Sequence, residues 1–250
     1  MYTRVKTAKE IENMRASGHI LAEILQTVKD FAREGVTGLE VDALVLKQAL
    51  QANARCSFKG YNGYPAHVCI STNDVVNHGI PDNTAFKKGD VISFDFGIVY
   101  NGMITDSAIT VVISEEPRGD KKRLVEVTEA SLYAGLEQIE ANCRVGDISA
   151  MIARTLEEAK LGIVKNLVGH GVGHMLHEEP DIPNYGRAGT GPTLKKGMTI
   201  AVEPITTLGG DEIEFGADGW NIRTSDGSLS AQFEHTVLVT DDGCEILTKL

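Results

Sequence analysis

Nowhere in this chain do about 18 apolar residues run together, the length a membrane-crossing helix needs, so no spanning segment is expected. The opening stretch, MYTRVKTAKE, also lacks the apolar core of a secretory signal. No CxxC pair occurs; Cys56, Cys69, Cys143 and Cys244 lie far apart and read as buried, reduced thiols. These absences point to the cytoplasm. Basic residues are in deficit, 24 Lys and Arg against 35 Asp and Glu, and the net charge of −11 argues against a broad nucleic-acid-binding face. The run Lys121-Lys122-Arg123 leaves room for a local basic contact, though such a run is commonly a solvated face. Low-complexity tracts are missing too. What remains is an ordinary globular composition, 42% hydrophobic and 24% charged over 250 residues, enough chain to bury a substantial core.

Thr7-x-x-Glu10 is a capping box, and Ile11, Met14, Leu21, Ile24, Leu25, Val28 and Phe31 follow at helical spacing. Thr37-x-x-Glu40 opens a second helix through Val41, Leu44, Val45 and Leu50. Strand-like segments fill roughly 66–115; helices return over 118–140 and 147–160, and strands follow. Helix, helix, strands is thus written twice. KKGDVISFD (87–95) matches KKGMTIAVE (195–203) at an offset of 108, and Gly38 meets Gly146 at the same offset. Further on, TDSAITVV resembles FEHTVLVT and pairs Asp106 with Glu234 at an offset of 128; the 20 additional residues form an inserted loop around 209–228. The pattern predicts one α+β domain over 1–250, with duplicated halves of roughly 1–115 and 116–250 about a pseudo-twofold axis.

In VISFDFGIVY, Ile92, Phe94, Phe96 and Ile98 point to one face and Ser93, Asp95 and Gly97 to the other. Asn101-Gly102 then signals a two-residue hairpin, which pairs Tyr100 with Met103 and Gly97 with Asp106. Asp106 therefore shares a face with Asp95, diagonal to it and about 7–8 Å away, and Gly97 leaves the space between them open. The pair alone supports either of two readings, a hydrated exposed sheet face or a shared cation. The duplication adds Glu203, ending the apolar strand MTIAV, and Glu234 in SAQFEHTVLV. Four acids converging near a histidine need cations to neutralise them. An oxygen-rich set with one nitrogen suits two first-row ions such as Mn, Fe or Co better than a Cys-rich zinc site, and two such ions are hydrolase machinery.

GHGVGHMLHEEP (169–180) holds His170, His174 and His177. The His170–His174 spacing imitates a helical zinc-protease motif, but Gly171 stands where the glutamate should, and Gly171 and Gly173 weaken any helix. Taken alone, the stretch does not say which histidine does chemistry.

The order Asp95, Asp106, His170, Glu203, Glu234, set in SFDFG, TDSA, VGHGVG, AVEP and FEHT, resembles the type I methionine aminopeptidases of the pita-bread fold. The similarity runs from the first helix to LVTDDGCEILT. It implies a curved antiparallel sheet flanked by two helix pairs in pseudo-twofold halves, forming a single catalytic metallopeptidase domain. It also implies removal of the initiator methionine from nascent proteins and peptides with a small second residue, by a metal-activated water. Two divalent ions (Co, Mn, Fe or Zn) are implied, Asp95 holding one and His170 the other, with Asp106 and Glu234 bridging and Glu203 both binding metal and shuttling a proton. By the same resemblance His78, in VVNHGIP, contacts the substrate backbone, and His177 stabilises the carbonyl oxygen as it gains charge. Tyr61, Tyr64, Cys69 and Trp220 match the methionine-side-chain pocket, with Phe58 and Leu176 at positions where relatives vary. Without the resemblance, His78 and His177 read as satisfied loop residues and the aromatics as a core patch. His174 falls where relatives vary and reads as a loop or cleft-rim residue. His67 is assigned no role, and His235 points to the face opposite Glu234.

Three other readings compete. Pita-bread peptidases that cleave before proline usually carry an additional N-terminal domain, and the ligand-bearing part begins too early here for one. Type II methionine aminopeptidases add a helical insertion between the last two carboxylates, whereas 31 positions separate Glu203 from Glu234. Binding proteins that keep the fold without catalysis lose ligands, and all five are present. No Cys/His-rich or Pro-rich extension of the kind eukaryotic members use for ribosome docking is seen. The expected partners are the N-termini of nascent polypeptides, with transient ribosome contact, no sequence-specific nucleic acid and no membrane; a monomer is expected.

Overall fold

The computed structural model describes residues 3–250. Both capping boxes form. The Glu10 carboxylate accepts the Thr7 N–H at 2.8 Å while the Thr7 hydroxyl accepts the Glu10 N–H, starting α1 (Ala8–Phe31). Thr37 and Glu40 do the same for α2 (Gly38–Gln51). Helix α1 buries Met14, Leu21, Ile24, Leu25 and Val28; α2 buries Val41, Val45 and Ala49. Leu50, expected on that face, is 60% exposed, because the helical rotation that buries Ala49 turns the next residue outward.

In the second half, α3 (Gly119–Leu136) and α4 (Val145–Glu158) differ from the expected ends. Helix α3 stops four residues before 140 because the chain tightens there: Gln138 and Ile139 donate to Gly135 and Leu136, three residues back. Helix α4 starts two residues before Asp147, whose carboxylate accepts the Arg144 N–H at 2.8 Å from inside the first turn.

The two halves repeat their joints. Gly35 donates to Phe86 and Phe86 to Val36; Asn142 donates to Leu194 and Leu194 to Cys143 in the same way. Helices α2 and α4 each span 14 residues, and left-handed Asn53 and Lys160 follow them. The helices correspond at an offset of 107 and the strands after them at 108, so Gly38 corresponds to Val145 and not to Gly146.

All the strand pairs among the described residues are antiparallel. Strand Val91–Tyr100 pairs along its full length with Met103–Val112, and Asn101 and Gly102 take φ of +47° and +80°, as a type I′ turn requires. The register sets Gly97 opposite Asp106; on the other edge Cys69 lies opposite Asp95. Strands His235–Val239, Thr199–Val202, Gly169–Gly171 and Glu178–Ile182 run side by side in that order in the second half. The Ala108–Glu234 bridge stitches the halves together. Segment 209–228 is a β-hairpin and not a loop: Ile213–Phe215 pairs with Ile222–Thr224, which pairs with Val75–Asn77 and brings Trp220 over the first half.

Each half has its own core, Ile92, Phe94, Phe96 and Ile98 joining α1 and α2, and Ile200, Val202 and Val237 joining α3 and α4. Asp95 and Gly97 therefore face away from α1 and α2. Of the four cysteines, all free, only Cys69 is buried; the other three are partly open. The Lys121–Arg123 run is tied down, Lys121 to the Gly89 carbonyl and Arg123 to Asp120 and the end of α4, so it forms no free basic patch.

Candidate metal centre and substrate cavity

Asp95 and Asp106 reach one face through the even spacing and hairpin register just described. Glu203 stands one residue beyond strand Thr199–Val202, where the Asn184 amide holds its carbonyl at 2.9 Å. Glu234 sits in the break between Ser230–Gln232 and His235–Val239. Thr236 exchanges two hydrogen bonds with the Asp106 backbone, at 2.8 and 2.9 Å, and the Ser107 hydroxyl donates to the Glu234 carbonyl at 2.6 Å. Backbone bonding thus fixes Asp106 and Glu234 against each other. Ligand atoms of Asp106, His170 and Glu234 lie within 4.8 Å of one another. His170 Nε2 is 3.6 Å from Glu203 Oε1, and the Gln232 amide donates to both Asp95, at 3.2 Å, and Glu203, at 3.4 Å.

All four carboxyls are buried, none more than 7% exposed. Burial pushes each pKa up, and the charge of neighbouring acids pushes Asp106, Glu203 and Glu234 further. Asp95 Oδ1 and Glu234 Oε1 have no hydrogen-bond partner despite burial. His170 Nδ1 lies 2.9 Å from the Gly171 carbonyl, an acceptor only, so Nδ1 carries the proton and Nε2 offers a lone pair. Burial holds the imidazole neutral by pushing its pKa down to about 3. Desolvated carboxyls, two orphaned oxygens and one imidazole lone pair fit divalent cations by the chemistry of the donors. The space at Gly97 is not simply open, however. A Cβ there would stand 2.2 Å from Ser57 Oγ and 3.3 Å from Asp106 Oδ1, so the glycine admits Ser57 behind the carboxylate.

These side chains open onto a cavity of about 290 Å³, and every site residue expected from the sequence lines it: Phe58, Tyr61, Tyr64, Cys69, His78, Asp95, Asp106, His170, Leu176, His177, Glu203, Trp220 and Glu234. Trp220 meets Tyr64 edge-on at 5.1 Å and His78 at 6.1 Å, and Phe58 meets Tyr64 at 6.4 Å. The Tyr64 hydroxyl donates to the Gly79 carbonyl at 2.9 Å, which fixes the ring. His78 takes φ +57°, a strained left-handed conformation for a non-glycine, stabilised by its N–H donating to Asn77 Oδ1 at 2.6 Å. His177 Nδ1 is 2.8 Å from the Tyr61 hydroxyl, and the His170 and His177 rings lie 4.2 Å apart.

Sequence reasoning missed Asn62, Asn77, Asn166, Leu167 and Val168 in the lining, and Gln232 between the Asp95 and Glu203 carboxyls. Gln232 had a signal, since it precedes Glu234 by two positions and so shares its side of an extended chain. Four histidines stay outside, one of them His19, exposed on α1. His174 bonds Glu10 at 2.7 Å in a loop with no helix to present it, His67 bonds Asp42 at 2.8 Å, and His235 bonds Thr248 at 2.9 Å.

Metallopeptidase family M24 matches residues 12–241. A methionine aminopeptidase of Clostridium perfringens is 40% identical over 247 residues, 98% of each chain. The crystal structure of methionine aminopeptidase from Thermotoga maritima superposes with a TM-score of 0.97 at 42% identity, covering 99% of this chain and 100% of that one. Prolidase from Pyrococcus furiosus superposes at 0.79 with 22% identity, covering 98% of this chain and 65% of that one, which shows a shared pita-bread fold alone.

Proposed function

This chain belongs to the methionine aminopeptidases of metallopeptidase family M24, and on that premise we propose how its residues divide the work and which substrates it takes. It is a metal-dependent aminopeptidase that removes N-terminal methionine. Asp95, Asp106, His170, Glu203 and Glu234 would hold two divalent ions, of Co, Mn, Fe or Zn. The observation that carries this reading is that four buried carboxyls and the free Nε2 of His170 line one cavity, Asp106, His170 and Glu234 clustered together and Asp95 and Glu203 joined through Gln232. Because the first two acids come from one half of the chain and the other three ligands from the second, residues 1–250 act as one catalytic domain.

Ions held there would supply Lewis acidity to a water and to the scissile carbonyl. A Glu203 carboxylate oxygen takes the proton that the water gives up and delivers it to the departing amine, leaving free methionine and a new N-terminus. The Tyr61 hydroxyl donates to His177 Nδ1 in this reading, so His177 Nε2–H is free to face the carbonyl oxygen as it gains charge. His78 contacts the substrate backbone, its strained φ being the cost of turning the ring into the cavity. Phe58, Tyr61, Tyr64, Leu176 and Trp220, with Cys69, surround the thioether side chain. The substrates are N-termini of nascent polypeptides with a small second residue, met in the cytoplasm by a monomer in transient contact with the ribosome. The net charge of −11 argues against sequence-specific nucleic acid as a partner, and no helix of the described residues is long and apolar enough to cross a membrane.

Peptide specificity tests the substrate reading. Free methionine is expected from Met-Ala-Ser and Met-Gly-Ser, about 10²-fold less kcat/KM on Met-Lys-Ser, and none from Leu-Ala-Ser. Equal rates on Met-Lys-Ser and Met-Ala-Ser would contradict the small-second-residue assignment.

A further inference from the structure

Glu178 directly follows His177 yet does not line the cavity. Its carboxylate points instead toward residues Thr3–Lys6, which lie along the back of the histidine segment. Thr3 N–H donates to the Glu179 carbonyl and Lys6 N–H to the Gly197 carbonyl. A Cβ on Gly171 would stand 2.8 Å from Thr3 Cβ, and one on Gly173 would stand 2.5 Å from Lys6 Cε. The glycines that spoil a zinc-protease helix in GHGVGHMLHEEP therefore admit this N-terminal segment.

Lys6 Nζ ends in three bonds: Glu178 Oε2 at 3.1 Å, Thr3 Oγ1 at 2.8 Å and the Arg4 carbonyl at 3.2 Å. The side chains of the ion pair are 0% and 1% exposed. The other carboxylate oxygen, Glu178 Oε1, accepts the N–H groups of His174 at 2.7 Å and Met175 at 3.0 Å. One buried carboxylate thus closes the turn between strands Gly169–Gly171 and Glu178–Ile182 from within and anchors it to a buried ammonium.

We infer that Glu178, held by Lys6, is the positioning residue for His177, fixing the turn that sets the His177 ring in the cavity lining. The inference rests on the reading of His177 given above. The test is a double-mutant cycle on the Mn-loaded enzyme with Met-Ala-Ser as substrate. Glu178→Ala should lower kcat about tenfold with KM within about twofold, the effect of a displaced catalytic group. Manganese affinity, measured by calorimetry on metal-stripped protein, should stay unchanged, because His170 is held separately by Gly171. In a His177→Ala background the same substitution should cost nothing further. Glu178→Gln, which keeps an oxygen for the two N–H groups and the same volume, should show a smaller loss with the same dependence on His177. It carries the test alone if the alanine variant fails to fold.

Equal fold-losses in both backgrounds, or no kcat loss in either, would overturn the inference. Full kcat in His177→Ala would instead overturn the role of His177, and the positioning role with it.

Discussion

Replacing Asp106 by Asn is expected to remove methionine release and metal binding together. The substitution keeps the volume and removes one negative charge from a site where ligand atoms of Asp106, His170 and Glu234 lie within 4.8 Å of one another. Metal-ion catalysis is worth several kcal/mol, and at about 1.4 kcal/mol per tenfold the loss in kcat/KM should reach about 10³-fold or more. The fold should survive, because the Asp106 backbone is held by Thr236 independently of the carboxylate. In the metal-stripped chain the variant should melt no lower than wild type, since it relieves repulsion among buried acids. Asp95→Asn should behave likewise. Near-normal turnover of either variant at saturating Mn or Co would contradict the ligand assignment, and calorimetric metal titration with peptide assays decides it.

The three histidines of GHGVGHMLHEEP should separate as sharply. His170→Ala removes the buried nitrogen donor and should weaken metal binding and activity together. His177→Ala should keep its metal and lose roughly 10²–10³-fold in kcat, the usual cost of deleting one donor to a developing oxyanion. His174→Ala should keep metal and most activity but melt lower, because His174 bonds Glu10 across to the start of α1 and does not line the cavity. Metal content and kcat measured on the three variants check the ranking. Metal lost from His174→Ala and kept by His170→Ala would reverse it.

What was legible in the sequence was local or periodic. Two capping boxes fixed where α1 and α2 begin, and an Asn-Gly turn fixed a ten-residue register, which placed Asp95 and Asp106 on one face. The repeated KKG strand led to Glu203. What was not legible depends on which distant segments meet. Gln232 joins Asp95 to Glu203 only because three separate strands converge, and Lys6 reaches Glu178 across 172 positions. Chain pattern also blurs single-residue shifts: the helices repeat at 107 and the strands at 108, so matching Gly38 to Gly146 was one residue out. Gly97 reads as a gap in sequence, but tertiary packing gives that space to Ser57.

The central claim is that five buried side chains make methionine release depend on divalent metal. Its most direct measurement follows free methionine from Met-Ala-Ser while metal-stripped enzyme is titrated with Mn²⁺. No release is expected before metal is added; release should rise with binding and saturate by two ions per chain, and Asp106→Asn should give neither. Full turnover by the stripped enzyme, or full turnover by Asp106→Asn with Mn²⁺ bound, would contradict it.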